Sequence, residues 1–191
     1  MLMSRPYTLK RRAEQQAETR QRIVEAAIDL HGTLGPARTS LSMIAERAGV
    51  QRHTLYAHFP DELSLQLACS GTFHARDRMP DAEPWRGIAD RAVRLRIGLG
   101  ELYAWYERNA QLVACVSRDA EFHAPSQEIR ALRVAPKMAA YREVLGAELN
   151  VQQRALLALA LSFYTWRTLT RDSGLNKSAA VDVMVEAIAV S

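Results

Sequence analysis

Apolar side chains return along this chain every three or four residues, so most of it reads as helix. From about Ala13 to Thr33, Ile23, Ala27, Leu30 and Leu34 fall on one face, while Glu14, Glu18, Arg22 and Glu25 lie on or near the wet one. Gly32, Gly35 and Pro36 stop that helix. Ser40 is a suitable N-cap for a second, short helix whose inner positions are Leu41, Ile44, Ala45 and Ala48. Gly49 fits the left-handed turn that ends it, and Val50 packs inside the turn. A third helix spans about Gln51 to His58, with Leu55 and Phe59 inward and Gln51, Arg52, His53, Thr54, Tyr56 and His58 outward. Packed together, the three predict a core of Ile23, Ala27, Leu30, Leu41, Ile44, Ala48, Val50, Leu55 and Phe59. A fourth helix is expected from Pro60, a residue suited to the first helical position, through Leu63, Leu65 or Leu67, and Phe73 to about Arg78.

Pro80 to Pro84 breaks the pattern and marks a domain boundary. Beyond it, Val93, Leu95, Ile97 and Leu99 alternate with Arg94, Arg96, Gly98 and Gly100, as in a strand. A longer window decides for helix: Ile88, Ala92, Leu95, Leu99, Leu102 and Tyr106 step by fours and threes, and the series resumes at Val113 and Val116. One helix to about Arg108 and another from Ala110 to Phe122 are expected, joined near Asn109. Pro125 opens a helical region to Leu145 with a bend near Pro136, and Gly146 closes it. Val151 to Arg171 predicts one strongly apolar helix through Leu156, Leu159, Phe163 and Trp166, closed by Ser173-Gly174. Asn176 or Ser178 caps a last helix through Val181, Met184, Ile188 and Val190. The expected fold is all-α, with about nine helices.

Two short helices joined through one glycine, the second exposing a row of hydrogen-bonding side chains, describe a helix-turn-helix that reads DNA. The stretch Thr39-Ser40, Ile44-Ala45, Ala48-Gly49-Val50, Leu55-Tyr56 and His58-Phe59 resembles the DNA-binding domain of the TetR family of transcriptional regulators. The likeness covers roughly residues 13 to 75, and its matches are ordered and spaced over a small domain. It implies a helix-turn-helix head over residues 1–60 and a helical effector-binding and dimerisation domain over 61–191, with 61–79 as the linking helix. One departure stands out: Glu62 occupies a position where the family usually has a lysine that resembles a phosphate clamp. A carboxylate suits the positive end of a helix but repels phosphate, so one backbone contact fewer is expected.

The 191-residue chain carries a formal charge of +4, and residues 1–12 hold Arg5, Lys10, Arg11 and Arg12 with no acid. Such an arm either follows DNA phosphates or remains a solvated terminus. No segment has the apolar length of a membrane span, the first residues lack a signal-peptide core, and the two cysteines fit a reducing compartment. A cytoplasmic protein is expected.

On a DNA reading, Gln51, Arg52 and His53 are placed for base edges, arginine suiting guanine and glutamine adenine. Thr39, Ser40, Thr54, Tyr56 and His58 carry donors suited to phosphates, although Ser40 also caps its helix, Tyr56 could pack in the core and His58 could cap a helix end. The partner would be a palindromic operator in double-stranded DNA. The resemblance implies a homodimer through the last two helices, about 151–172 and 178–190; the alternative is that both simply complete the core. It also implies a small-molecule effector in the body, for which Tyr103, Tyr106, Asn109, Phe122, His123, Tyr141, Phe163 and Trp166 are candidates, against the reading that aromatic residues at helical spacing are core. No cofactor, metal or catalytic residue is expected. Asp119, Glu121 and His123 lie two apart, which on a helix diverges by about 200 degrees. No phosphate loop, nucleophile elbow or His-Glu-x-x-His motif occurs. A ligand-independent architectural protein or an activator remains the alternative to a repressor.

Overall fold

The computed structural model describes residues 5–190, with side chains from residue 10 onward. Every regular element among these residues is helical. The chain divides into two compact units, one of residues 1–76 and 115–129, the other of 77–114 and 130–191.

In the first unit α1 runs over Arg5–Thr33, α2 over Leu41–Ala48, α3 over Arg52–His58 and α4 over Glu62–Arg76. The expected start of α1 near Ala13 is corrected to Arg5. Leu9 to Arg22 contains neither Pro nor Gly and is rich in strong helix formers, so nothing halts propagation upstream. Lys10, Arg11 and Arg12 therefore lie exposed on α1 rather than on a separate arm, while residues 1–4 of that arm lie outside the described residues. The core joins Ile23, Val24, Ala26, Ala27, Ile44, Ala45, Ala48, Leu55, Phe59, Leu65 and Cys69, with Leu30, Leu41 and Val50 partly buried against it. Leu34 was expected in this face but is exposed, because α1 has already ended and Gly35 turns the chain with φ 97°. Ser40 caps α2 by accepting a hydrogen bond from the Met43 amide, and Gly49 ends it at φ 64° in the left-handed region. Helix α4 begins two residues later than expected. Asp61 rather than Pro60 sets its start, accepting from the Ser64 amide at 2.7 Å while the Ser64 hydroxyl accepts from the Asp61 amide.

The second unit contains α5 (Glu83–Arg86), most of α6 (Arg91–Asp119), α8 (Ala135–Leu145), α9 (Val151–Ala160), α10 (Phe163–Arg167) and α11 (Lys177–Ala189); α7 (Ala124–Ile129) belongs to the first. The unit boundary falls inside α6, between Ala114 and Cys115. The expected join at Asn109 is a kink within that helix, with φ −115° and ψ 15°. The Asn109 amide nitrogen donates to the carbonyl of Trp105, four residues back, and so competes with the backbone ladder. Pro136 lacks the N–H that would continue the preceding helix, and a π-helical turn at Arg130–Val134 absorbs the bend before α8.

The single helix expected over Val151 to Arg171 is broken. It ends at Ala160, and Ser162 turns extended (φ −75°, ψ 134°) and caps α10 by accepting from the Tyr164 amide. The break frees two carbonyls that burial would otherwise leave unpaired. The Tyr103 hydroxyl donates to that of Ala160 at 3.0 Å and the Tyr106 hydroxyl to that of Leu161 at 2.8 Å. Asn176 caps α11, whose Val181, Met184 and Ile188 are buried as expected. Val190 lies beyond the helix end and is exposed, contrary to the expected pattern.

Candidate nucleic-acid interface

Leu55 and Phe59 fix the rotation of α3, since both are almost fully buried and Phe59 also lies under the Arg20 guanidinium, 4.7 Å from its ring centre. With Leu55 inward, the positions one and two residues away turn toward the surface. Gln51, Arg52, His53 and Tyr56 are exposed, and Thr54 and His58 are half-buried. Gln51 is the extended residue ahead of the helix, so its side chain stands at the helix entrance. This is a short surface helix presenting an amide, a guanidinium, an imidazole and a phenol, which together can donate to and accept from base edges and phosphates.

Thr39 and Ser40 behave differently. Thr39 is buried, and its hydroxyl donates to the Gly35 carbonyl at 2.8 Å. Ser40 is exposed, with its oxygen accepting from Met43 at 3.3 Å and its hydroxyl hydrogen still available. Glu62, the first residue of α4, accepts from the Gln66 side chain at 3.0 Å and lies 3.2 Å from the His123 Nε2. The other His123 ring nitrogen is 2.9 Å from the Ser126 hydroxyl. The acid that replaces the usual lysine is thus engaged within the protein.

The turn before α2 is gripped by the end of α6. Asp119 is fully buried; one carboxylate oxygen accepts from the Ala37 amide at 2.9 Å and the other from Arg118 Nε at 2.7 Å. Arg118 Nη2 donates in turn to the Leu34 carbonyl at 2.9 Å. A β-carbon on Gly35 would stand 2.2 Å from that nitrogen and 2.4 Å from the Asp119 carboxylate, so only glycine fits. His31 is buried nearby. Burial pushes its pKa down to about 4, the positive charge that His123 can carry pushes the same way, and Asp119 opposes both. Sequence reasoning sees Arg118 and Asp119 only as neighbours in the chain. It misses their hold on residues 34–37, because the partners lie 82 to 84 positions apart and no local spacing announces them. Among the described residues, no group of three His, Cys, Asp or Glu is arranged to hold a metal ion.

The effector candidates do not form one set. Phe122 and His123 belong to the first unit, and Phe122 is 68% exposed. In the second unit Tyr106, Phe163 and Trp166 stack mutually with ring centres 5.3 to 5.9 Å apart, and Tyr103 lies 6.4 Å from Tyr106. Tyr141 packs instead on Trp85 at 5.0 Å and donates to the Pro80 carbonyl. All these rings are buried, and burial raises the pKa of all three phenols. Asn109 holds Asp77 at 2.8 Å, beside the Arg108–Asp77 ion pair at 3.0 Å. No helix among the described residues is long and apolar enough to cross a membrane.

Comparison with known proteins agrees with this geometry. Residues 23–68 match the family model of the bacterial regulatory proteins of the tetR family. The transcriptional regulator TtgR of Pseudomonas putida is 41% identical over 66 residues, 35% of this chain and 31% of its own. The transcriptional repressor KstR of Mycobacterium tuberculosis is 30% identical over 107 residues, 56% of this chain and 48% of its own. The chain therefore matches about a third to a half of the length of these curated relatives. Among solved structures, NalD, the secondary repressor of the MexAB-OprM multidrug efflux pump in Pseudomonas aeruginosa, superposes with a TM-score of 0.64 at 21% identity, over 93% of this chain and 96% of its own. The fold likeness runs through the body as well as the head, and the sequence match lies on the α1–α4 core that orients the exposed face of α3. Residues 23–68 thus carry the likeness to the bacterial regulatory proteins of the tetR family, and the chain shares the helical fold of NalD.

Proposed function

We propose that this protein is a DNA-binding transcriptional regulator that recognises a palindromic operator as a homodimer and is released by a small-molecule effector. The observation that carries the reading is the outward face of α3, where Gln51, Arg52, His53 and Tyr56 stand clear of the core that fixes the helix. Arg52 and Gln51 read base edges in the major groove, His53 adds a further specificity contact, and Thr54, Tyr56, His58 and Ser40 meet phosphates. Thr39 is reassigned to positioning, since its one hydroxyl hydrogen serves Gly35. Residues 1–60 form the reading head and 61–79 the link to the body. The protein acts in the cytoplasm, and repression is the mode that its named relative KstR favours.

The dimer reading is supported by apolar surface on the last helices. Val151, Ala155, Leu159 and Tyr164 are exposed on α9 and α10, and Val183 on α11. A twofold pair would cover them and supply two heads for two half-sites. In the effector reading Tyr103, Tyr106, Phe163 and Trp166 form a wall that must loosen to admit a ligand, and the ligand must prefer the dimer whose heads no longer match the half-sites.

The deciding experiment measures binding to DNA from upstream of the gene and its neighbours at fixed salt, with unrelated DNA as competitor. Competitor-resistant binding to a palindrome is expected. Arg52→Ala should lose about 1–3 kcal/mol of it together with the sequence preference. Equal affinity for all DNA would replace this reading with an architectural one.

A further inference from the structure

Arg94 stands on the second turn of α6 with only 7% of its surface exposed. A charge so buried normally meets an acid, because an unpaired ion in the interior is costly. Here Nη1 alone is engaged, donating to the Ile88 carbonyl at 2.7 Å. Nε and Nη2 are buried without a hydrogen-bond partner. These two atoms are neighbours on one edge of the planar guanidinium, and their N–H bonds point the same way. That edge is the fork which accepts both oxygens of a carboxylate. The Ile88 contact fixes the plane of the group, so the fork is oriented in advance.

Three acids of the same unit are otherwise employed. Asp90 accepts from the Val93 amide at 2.9 Å, Glu101 from the Trp85 ring nitrogen at 3.1 Å, and Asp182 from Arg96 at 2.9 Å. The carbonyl that holds Arg94 belongs to the connector between α5 and α6, where Gly87, Ala89 and Asp90 are exposed. Leu95 and Leu99 on the same helix are buried as well.

We propose that the Nε–Nη2 edge of Arg94 binds the carboxylate of a small organic acid, entering beneath the 87–90 connector. The site deepens the effector reading and rests on it for its consequence at the operator, but binding itself is measured without DNA. The full chain is titrated calorimetrically with acetate, butanoate, octanoate and benzoate, and with their primary amides as uncharged controls. At least one acid should bind saturably while its amide does not, and Arg94→Met should weaken that acid by about tenfold or more. Arg94→Lys should be intermediate, since an ammonium cannot present the fork. The unliganded Arg94→Met protein should melt at or above the wild-type temperature, because an unpaired charge has been replaced by an apolar side chain.

Binding of no acid in the panel would overturn the proposal, as would equal binding by Arg94→Met or by the amides. A crystal structure with ordered water alone on that edge in the presence of the acid would also overturn it. A fall in melting temperature for Arg94→Met with acid binding intact would assign the guanidinium a structural role instead. Arg94-dependent acid binding that leaves operator occupancy unchanged would support the site and overturn the effector reading, so the two failures are distinct.

Discussion

Asp119→Ala tests whether the end of α6 holds the turn that positions α2. The substitution removes two acceptors at once. The half-buried Ala37 amide loses its carboxylate partner, and leaving such a donor unsatisfied costs about 1–3 kcal/mol. Arg118 also loses its carboxylate, but its side chain is 43% exposed, so water recovers part of that contact and the second loss adds only about 0.5–1 kcal/mol. A total of about 1.5–4 kcal/mol is expected. Asp119→Asn separates the two contributions. A carboxylate accepts at both oxygens, whereas an amide accepts at one and presents a donor at the other. Either Ala37 or Arg118 then faces a donor, and about half of the loss should return. Urea denaturation of both variants gives the stabilities, and operator binding by the same preparations gives the consequence. Affinity should fall with stability, because the turn from Gly35 to Ala37 leads directly into Thr39 and the Ser40 cap of α2. Stability of Asp119→Ala within about 0.5 kcal/mol of wild type, the range of an ordinary surface change, would refute the reasoning. So would full retention of stability by Asp119→Asn.

Three other outcomes are expected. Tyr106→Phe leaves the buried Leu161 carbonyl without its donor and should cost about 1 kcal/mol by denaturation, with no change in DNA specificity. Leu159→Glu places a charge on the apolar face of α9; sedimentation equilibrium should show a folded monomer, and an intact dimer would move the interface elsewhere. His31 has a folded-state pKa of about 4, below its ordinary value of 6.5, so the unfolded chain binds more protons between these values and stability falls as pH drops through that window. About 2 kcal/mol should be lost between about pH 7 and pH 5, and His31→Gln should remove most of that loss; an unchanged slope in the variant would assign it to other groups.

What could be read from the sequence follows the range of the forces involved. The stretch from Thr39 to Phe59 was legible because its determinants are local. A serine cap, a left-handed glycine, and an inward leucine with a buried phenylalanine capping the seven-residue helix each constrain residues at most four apart. The Asn109 kink was legible for the same reason, since the side chain that causes it binds four residues back. The break at Ser162 was not. Ser162 sits in an apolar run that favours one continuous helix, and what makes the break tolerable is a pair of tyrosine hydroxyls 55 and 57 residues earlier. The outward face of α3 was legible, but the supports behind it were not. Glu62 read in isolation is an acid where phosphate would prefer a lysine, which predicts a weaker head. In the folded protein that carboxylate has a partner in His123, so the position contributes to internal packing between the start of α4 and the α6–α7 connection instead of standing against DNA. A loss of one phosphate contact and a gain of one internal contact act on different quantities, the first on affinity and its salt dependence, the second on how firmly α4 is held. Weak DNA binding therefore does not follow from Glu62 alone. It follows only if the internal contact leaves α3 no better ordered than a lysine at this position would.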